Sequence, residues 1–294
     1  MLTVRPLHPV FAAEVTGLDL RQAPSPELAR EIEGIMDRYA VAVLPAQSID
    51  DAHQVRFSAM YGDLEVRPLQ RLKKEVPDPG DRIGHREVFD VSNLDDDGNP
   101  LKTEDDRRIY SLANRLWHTD SSFRQVSATY SMLSARVIPP VGADTEFADM
   151  RAAYDALPQA MKMRLHGLVA EHSIWHSRSK HGGYVPNEEE RAARPPAHHP
   201  LVRTHAGSGR KTLYIASHAS HILGMEVEEG RALLAELMAF ATQDRFVYRH
   251  QWRLGDLVIW DNRCTMHRAT PFEDQRYRRD MRRTTVREKV AVPA

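Results

Sequence analysis

Short apolar runs separated by turn-forming residues are the feature that most constrains the fold of this chain. Residues 40–45, 212–216 and 256–260 are each of strand length, and glycine or proline lies close to each of them. Apolar runs this short suit buried strands better than helices. Many short strands with few helices predict a β-sandwich or barrel with helices packed outside it.

Three segments have the periodicity of helices. Ser25 is placed to cap the first, Pro26 suits its first position, and its apolar spacing ends near Tyr39. The clearest apolar stripe predicts a second helix over residues 226–242. A third helix is expected to begin at Ser48 and to direct three residues toward the core, namely Val55, Ala59 and Met60.

Two polar stretches interrupt this pattern. Residues 61–108 contain few apolar residues and many turn formers, so they predict a mobile flap or, equally, a solvated surface excursion. Residues 172–200 are polar and rich in histidine and proline, and they predict an insertion on the surface. Four histidines there are expected to be solvated or hydrogen-bonded rather than bound to a metal: His172, His176, His198 and His199.

The composition excludes several classes of partner. With 40 basic and 41 acidic residues the net charge is −1, which gives no general attraction to nucleic acid or anionic membranes. The single cysteine, Cys264, allows no internal disulfide, and no leader pattern or membrane-length apolar run is present, so a cytoplasmic protein is expected. The absence of repeats and linkers predicts one domain over residues 1–294. A homo-oligomer is also expected.

The segment around Trp117 carries the first candidate metal ligands. In an extended chain His118 and Asp120 point to the same side, where an imidazole and a carboxylate offer two donors to a divalent metal. Such a pair alone occurs often by chance. If His267, which follows an apolar strand, supplies a third donor, the result is a two-histidine, one-carboxylate set with three coordination positions open. Structural zinc sites instead close all four positions with protein ligands.

The last strand, predicted near residues 281–286, is preceded and begun by a dense group of arginines. Arg279 and Arg283 share one face of an extended chain here, and Arg278 and Arg282 share the other. Two arginines turned inward would clamp carboxylate ligands in bidentate fashion. Two arginines turned outward would form only a basic surface. The doubled arginines leave the register of this strand open.

These motifs together resemble the Fe(II)/2-oxoglutarate-dependent dioxygenases of the taurine dioxygenase superfamily. The likeness is greatest to the members that degrade phenoxy herbicides such as 2,4-dichlorophenoxyacetate. It covers most of the chain but is poor over residues 61–108. The segments that carry it are residues 7–13, 116–123, 129–135, 144–158, 201–211, 218–221 and 260–267.

The resemblance implies a jelly roll, that is, a double-stranded β-helix core covered by α-helices, with Fe(II), 2-oxoglutarate and O2 as cofactor and cosubstrates. It also implies hydroxylation of the carbon next to the ether oxygen of an aryloxyalkanoate, a small anionic aromatic substrate. His118, Asp120 and His267 match the iron ligands, while Thr145 and Arg279 match residues that bind 2-oxoglutarate. Positions implied to lie toward the substrate are Arg283, either His218 or His221, and Asn114.

Two other functions remain open at this level. A dioxygenase of the same superfamily acting on taurine or another alkylsulfonate would also need an arginine for its anionic substrate. A catalytically silent jelly-roll protein that binds a metal or a small anion is the second alternative. The complete set of His118, Asp120, His267 and the paired arginines argues against it, because no structural role requires all of them together.

Overall fold

A computed structural model describes residues 1–67, 82–180 and 185–289, and the described chain is a mixed structure of many short strands and fewer helices. Its strands are β1 (Thr3–Pro6), β2 (Ala13–Thr16), β3 (Val41–Leu44), β4 (Phe89–Asp90), β5 (Ala128–Val137), β6 (Thr145–Asp149), β7 (Val169–His172), β8 (Ala197–Pro200), β9 (Val202–Thr204), β10 (Lys211–Leu213), β11 (Ala219–Ile222), β12 (Val247–His250), β13 (Leu257–Asp261), β14 (Thr265–Ala269) and β15 (Asp280–Arg287).

Its helices are α1 (Pro26–Tyr39), α2 (Asp51–Ser58), α3 (Asp106–Ser111), α4 (Met150–Asp155), α5 (Gln159–Leu165), α6 (Ile174–Lys180), α7 (Glu188–Ala193) and α8 (Val227–Ala241). Short 3-10 turns cover Ala59–Tyr61, Leu112–Arg115 and Asp244–Phe246. Among the described helices, none has both the length and the apolar character needed to cross a bilayer.

Two sheets form the part of the fold that matters for the site. The larger has the strand order β1-β2-β3-β13-β5-β15-β4, and the smaller has the order β12-β6-β14. Phe147 of the small sheet packs against Trp260 of the large one, with ring centroids 5.6 Å apart, in a core that also contains Val258 and Met281. The two sheets therefore pack face to face through large buried side chains.

The helices cover these sheets through apolar faces. Ile32 and Met36 of α1 are fully buried against the outer side of the large sheet, beside Leu44 and Ile259. Leu237 of α8 belongs to a separate core with the sheet of order β11-β7-β8. Each fully buried side chain of this size contributes about 1.5–3 kcal/mol to the free energy of unfolding. The remaining strands, β9 and β10, form a hairpin.

Two of the helices predicted from sequence are confirmed. Ser25 caps α1, where its side chain accepts a hydrogen bond from the Leu28 amide at 3.2 Å, and Pro26 is the first helical residue. The helix ends at Tyr39 because Ala40 adopts a left-handed conformation with φ of 59°. The apolar stripe of residues 226–242 forms α8, Val227–Ala241.

The helix predicted from Ser48 is only partly right. It begins at Asp51, where the Asp50 side chain caps it, and Ala59 is exposed rather than directed to the core. The side chains that α2 buries are Gln54, Phe57 and Ser58. A polar residue is tolerated there because the Gln54 amide donates to the backbone oxygens of the large sheet at 2.9 and 3.1 Å.

The surface insertion predicted over residues 172–200 is wrong at both ends. His172 ends β7 and His199 lies in β8, and the two strands pair within the sheet β11-β7-β8. Because alternate residues of a strand face opposite sides, His199 is buried while His198 is exposed. His172, expected to be solvated or hydrogen-bonded, is a fully buried strand residue whose ring nitrogens have no hydrogen-bond partner among the described residues. Residues 181–184 lie outside the described residues.

The predicted flap, residues 61–108, is partly attached to the large sheet. Strand β4 pairs with β15, and the amide of Glu65 donates to the carbonyl of Thr285 at 2.8 Å. Residues 68–81 of this segment lie outside the described residues. The mobility predicted for the flap therefore stays a prediction, while residues 89–90 within it form an edge strand of the large sheet.

Candidate metal centre

Two strand-like segments bring the candidate ligands together. His118 follows the 3-10 turn Leu112–Arg115, and its backbone forms an antiparallel bridge with His267 of β14 through hydrogen bonds of 3.0 and 2.7 Å. This pairing places the two imidazoles side by side, with ring centroids 4.2 Å apart. Asp120, two residues on, completes a buried cluster in which one donor atom of each residue lies within 4.8 Å of the others. We call these three residues the His-Asp-His cluster.

The hydrogen bonds of the two histidines determine which nitrogen atoms are open. Nδ1 of His118 donates to the carbonyl of Leu116 at 2.8 Å, because a carbonyl only accepts. Nε2 of His118 therefore carries a lone pair. Nδ1 of His267 is buried without a hydrogen-bond partner among the described residues, and its Nε2 lies 3.8 Å from Oδ2 of Asp120.

Electrostatics favour neutral imidazoles and an ionised carboxylate in this cluster. Burial lowers the pKa of His118 and lowers that of His267 further, and the neighbouring carboxylate only partly opposes this. For Asp120 burial alone would raise the pKa, but the positive charge of Arg283, with the hydrogen bond from Ser131, outweighs it and holds the pKa below its usual range. Two neutral nitrogen donors and one anionic oxygen donor suit a divalent cation.

Asp120 is held from both sides. Nη1 of Arg283 donates to its Oδ1 at 2.6 Å, and the hydroxyl of Ser131 donates to its Oδ2 at 2.7 Å. The backbone amide of Asp120 donates to Oδ1 of Asn262 at 3.0 Å. Ser131 lies on β5, and Asn262 directly follows β13, so adjacent strands of the large sheet support the carboxylate.

Arg279 is a buried cation of unusual kind. Its guanidinium donates to the carbonyl of Val91 at 3.2 Å, and no carboxylate of the described residues forms an ion pair with it. Burial lowers its pKa to about 10, so it stays protonated at neutral pH. A buried unpaired charge is costly, and an anionic ligand would compensate it. Its neighbour in the alternative register, Arg278, is exposed.

Thr145 opens β6 and is almost completely buried. Its hydroxyl accepts a hydrogen bond from Nε1 of Trp252 at 3.0 Å, which leaves the hydroxyl proton for another acceptor. Thr145 shares a strand face with Phe147, whose ring centroid lies 6.1 Å from that of His267.

The predicted substrate-side residues divide into two groups. The His218 ring lies 6.0 Å from that of His118 and bonds to the Ser122 hydroxyl through Nδ1 at 2.9 Å. Arg283 contacts Asp120 directly, whereas Arg282, its alternative, pairs with other acids, Asp90 and Asp280. The structure does not place Asn114 or His221 in the cluster. Asn114 accepts from Arg178 at 3.4 Å, and His221 contacts Ser220 and Glu171.

Three residues near the cluster were not singled out by the sequence. Ser131 and Asn262 bond to Asp120, and Arg178 stacks on Tyr110 while donating to Asn114. A lone serine in an apolar strand carries no recognisable signal. Asn262 does lie between the apolar strand and His267 in the sequence, so a polar residue turned back toward the ligands was detectable there in principle.

A second buried group has donor atoms equally close together. His205, Asp261 and Cys264 also lie within 4.8 Å of one another, and we call them the Asp261 cluster. Arg263 donates to both carboxylate oxygens of Asp261 at 2.9 and 2.6 Å, and His205 bonds to the same carboxylate at 2.9 Å. The other ring nitrogen of His205 bonds to Ser208 at 2.8 Å. Internal partners therefore already occupy both carboxylate oxygens of Asp261 and both ring nitrogens of His205.

Sequence comparison identifies the family. The family described as "Taurine catabolism dioxygenase TauD, TfdA family" matches residues 3–285. The chain is 48% identical over 287 residues to the alpha-ketoglutarate-dependent 2,4-dichlorophenoxyacetate dioxygenase of Cupriavidus pinatubonensis, covering 97% of both chains. It is 36% identical to the (S)-phenoxypropionate/alpha-ketoglutarate-dioxygenase of Sphingobium herbicidovorans, covering 92% of this chain and 90% of that one.

Structural comparison agrees with this. AAD-2, solved in complex with Mn(II) and N-oxalylglycine, superposes with a TM-score of 0.89 and 44% sequence identity over 100% of both chains. A taurine dioxygenase from Burkholderia xenovorans superposes with a TM-score of 0.77 at 27% identity, covering 99% of this chain and 91% of that one. The resemblance found from the motifs is thereby confirmed.

Proposed function

The chain belongs to the TauD, TfdA family of dioxygenases, and we propose that it hydroxylates the carbon next to the ether oxygen of 2,4-dichlorophenoxyacetate or a related aryloxyalkanoate. The resulting hemiacetal breaks down to a phenol and glyoxylate, while 2-oxoglutarate is converted to succinate and CO2. The observation that carries this proposal is the 48% identity, over 97% of both chains, to a relative named for 2,4-dichlorophenoxyacetate.

The His-Asp-His cluster fits the metal that this family requires. Its two neutral imidazoles and one ionised carboxylate are the donor set of iron oxygenases that keep open positions for other ligands. Nε2 of His118 is free because its Nδ1 donates to a carbonyl, and Nε2 of His267 faces Oδ2 of Asp120 at 3.8 Å, so among the described residues each imidazole has a nitrogen available to a metal. We therefore assign Fe(II) to His118, Asp120 and His267.

The fit extends to 2-oxoglutarate. A dianion needs a fixed positive charge, and Arg279 is buried with no acidic partner among the described residues. We assign the distal carboxylate of 2-oxoglutarate to Arg279 and a further hydrogen bond to Thr145, whose hydroxyl proton is free to be donated. When bound, Fe(II), 2-oxoglutarate and O2 together supply the oxidising power that inserts oxygen into a C–H bond.

The protein's own residues bind and orient the substrate. Nη1 of Arg283 donates to Asp120 and its Nε has no partner among the described residues, so N–H groups remain for the carboxylate of the substrate. We propose that Arg283 anchors this carboxylate beside the cluster. The buried His218 stays neutral because burial lowers its pKa strongly, and it lies close enough to His118 to border the same space.

We further infer the architecture that the family implies. The two face-to-face sheets would form the double-stranded β-helix, with the helices outside and the His-Asp-His cluster between β14 and the segment before β5. Residues 1–294 would then be one dioxygenase domain. We also propose a cytoplasmic location and a homo-oligomeric state for the protein.

The test is an assay of purified protein with Fe(II), ascorbate, 2-oxoglutarate and 2,4-dichlorophenoxyacetate. Succinate and a phenol should appear together in equal amounts. Aryloxyacetates, 2-aryloxypropionates, cinnamates and alkylsulfonates would be compared in parallel. Succinate formation stimulated by taurine and by no aryloxy acid would overturn the substrate assignment and support the alkylsulfonate alternative.

A further inference from the structure

A directed chain of hydrogen bonds runs from Trp260 toward the candidate metal ligand Asp120. Nε1 of Trp260 lies 3.0 Å from Oδ1 of Asn262. An indole N–H only donates, so the atom facing it must be the amide oxygen. The orientation of the Asn262 side chain is therefore fixed by chemistry, and its NH2 group points the other way.

The directions of the remaining hydrogen bonds follow from the orientation of the Asn262 side chain. The amide nitrogen Nδ2 of Asn262 donates to the hydroxyl oxygen of Ser131 at 2.9 Å. Ser131 has one proton, and it is directed to Oδ2 of Asp120 at 2.7 Å. The same Asn262 oxygen accepts the backbone N–H of Asp120 at 3.0 Å. One asparagine thus holds the backbone of Asp120 directly and its carboxylate through Ser131.

These hydrogen bonds are rigid because the residues that form them are buried in the middle of the large sheet. Trp260, Asn262 and Ser131 are all buried, with exposed fractions of 0–1%. Ser131 lies on β5, whose partners are β13 and β15 in the middle of the large sheet. Arg283, which contacts the other oxygen of Asp120, has a side chain that is 23% exposed. The contact of Asp120 with Ser131 is therefore held in the rigid interior, whereas the contact with Arg283 involves a side chain that reaches the surface.

We propose that Asn262 and Ser131 are positioning residues that fix the plane of the Asp120 carboxylate for metal binding. The proposal rests on the function assigned to the His-Asp-His cluster. A carboxylate held at one oxygen and at its own backbone loses the torsional freedom of its side chain before the metal arrives. Partners of this kind commonly account for about 10–100-fold in metal affinity.

The test measures Mn(II) binding by the electron paramagnetic resonance signal of free Mn(II), with no 2-oxoglutarate or substrate present. Ser131→Ala should weaken Mn(II) binding by about 10–100-fold relative to the unaltered protein. The matched control is Ser134→Ala, because Ser134 is also a buried hydroxyl on β5 but donates to Gln54 at 2.7 Å. It should lower the thermal midpoint about as much as Ser131→Ala while Mn(II) affinity stays unchanged.

A double-mutant cycle tests whether the two residues act in series. Asn262→Ala should weaken Mn(II) binding at least as much as Ser131→Ala, and the double variant should be no worse than Asn262→Ala alone. If the losses of Mn(II) affinity added, Asn262 and Ser131 would not act through one series of hydrogen bonds. If Asn262→Ala does not fold, the comparison of Ser131→Ala with Ser134→Ala still decides the role of Ser131.

The outcomes separate this proposal from the one it rests on. If the unaltered protein binds Mn(II) and Ser131→Ala binds it equally well, the positioning role is refuted while the metal centre stands. Equal weakening by Ser134→Ala would show a general loosening of the sheet and would also refute it. If the unaltered protein binds no Mn(II), the proposed function itself fails.

Discussion

The His-Asp-His cluster and the Asp261 cluster contain nearly the same chemical groups in very different states. Both are buried, and both place donor atoms of three residues within 4.8 Å of one another. In the Asp261 cluster, Arg263 binds both carboxylate oxygens and His205 uses both ring nitrogens for hydrogen bonds. In the His-Asp-His cluster, Nε2 of His118 and Nε2 of His267 have no hydrogen-bond partner among the described residues.

The contrast between the two clusters shows that proximity and burial of donor atoms do not by themselves define a metal centre. What distinguishes the His-Asp-His cluster is that each of its imidazoles keeps a nitrogen without a hydrogen-bond partner among the described residues. A buried carboxylate paired with arginine and histidine is an internal ion pair, and removing one partner would leave a buried uncompensated charge. We therefore expect substitutions in the first cluster to abolish metal binding, and substitutions in the second to lower stability.

The largest expected effect separates the two clusters by metal binding. His267→Ala should reduce Mn(II) binding and succinate formation to background, because it removes one of three donors, while the protein stays folded. His118→Ala should do the same. His205→Ala, the matched substitution in the Asp261 cluster, should retain Mn(II) binding but unfold at lower denaturant. Loss of Mn(II) binding in a folded His205→Ala protein would contradict this distinction.

The second comparison concerns stability without metal. Asp261→Ala should lower the free energy of unfolding by about 3–5 kcal/mol, because it leaves Arg263 and His205 without their acceptor in the interior. Asp120→Ala should cost less, since its partner Arg283 is 23% exposed and reaches water. Urea denaturation of both variants in the presence of a chelator checks the order. A larger loss for Asp120→Ala would contradict the contrast between the two clusters.

The next prediction compares the buried Arg279 with the exposed Arg278 in 2-oxoglutarate binding. Arg279→Met removes a buried cation that has no acidic partner in the part of the chain that the structure describes, so the ligand-free protein should be as stable as before or more stable. Binding of 2-oxoglutarate, measured by calorimetry with Mn(II) present, should weaken about 10–100-fold through loss of a charge-assisted pair. Arg278→Met is the control, because Arg278 is exposed. Equal weakening of 2-oxoglutarate binding by Arg278→Met would contradict the assignment of the distal carboxylate to Arg279 rather than Arg278.

The smallest expected effect is a pH dependence at His172. Burial lowers the pKa of His172 well below its ordinary value, so the folded protein leaves it neutral while the unfolded chain protonates it below about pH 6.5. Its contribution to stability therefore falls as pH drops below that value, by about 1.4 kcal/mol per pH unit. His172→Phe should flatten the stability profile between pH 6.5 and 5.5 by about that slope, as measured by urea denaturation. Mn(II) binding should not change, because His172 belongs to neither group of possible metal ligands found among the described residues. An unaltered profile would show that His172 is protonated in the folded state.

Much of the local structure follows from sequence because it depends on neighbouring residues. Ser25 and Pro26 define the start of α1 through capping chemistry, and the stripe of α8 follows from helical periodicity. Ala59 and His199 were misassigned because their burial depends on partners distant in the chain. Strand β14 was not predicted, because residues 265–269 alternate poorly between apolar and polar side chains.

The candidate site divides in the same way. His118, Asp120 and His267 were grouped from ligand chemistry, and the structure brings them together. Which of the paired arginines turns inward could not be read from doubled residues, because a shift by one residue reverses both faces. Ser131 and Asn262 were missed, since their role depends on the pairing of β5 with β13 rather than on any local motif.

Anomalous X-ray scattering from crystals soaked in Mn(II) tests the central claim most directly. We expect one strong anomalous peak within bonding distance of His118, Asp120 and His267, and no peak beside His205, Asp261 and Cys264. A peak at the Asp261 cluster, or no peak at the His-Asp-His cluster, would contradict it.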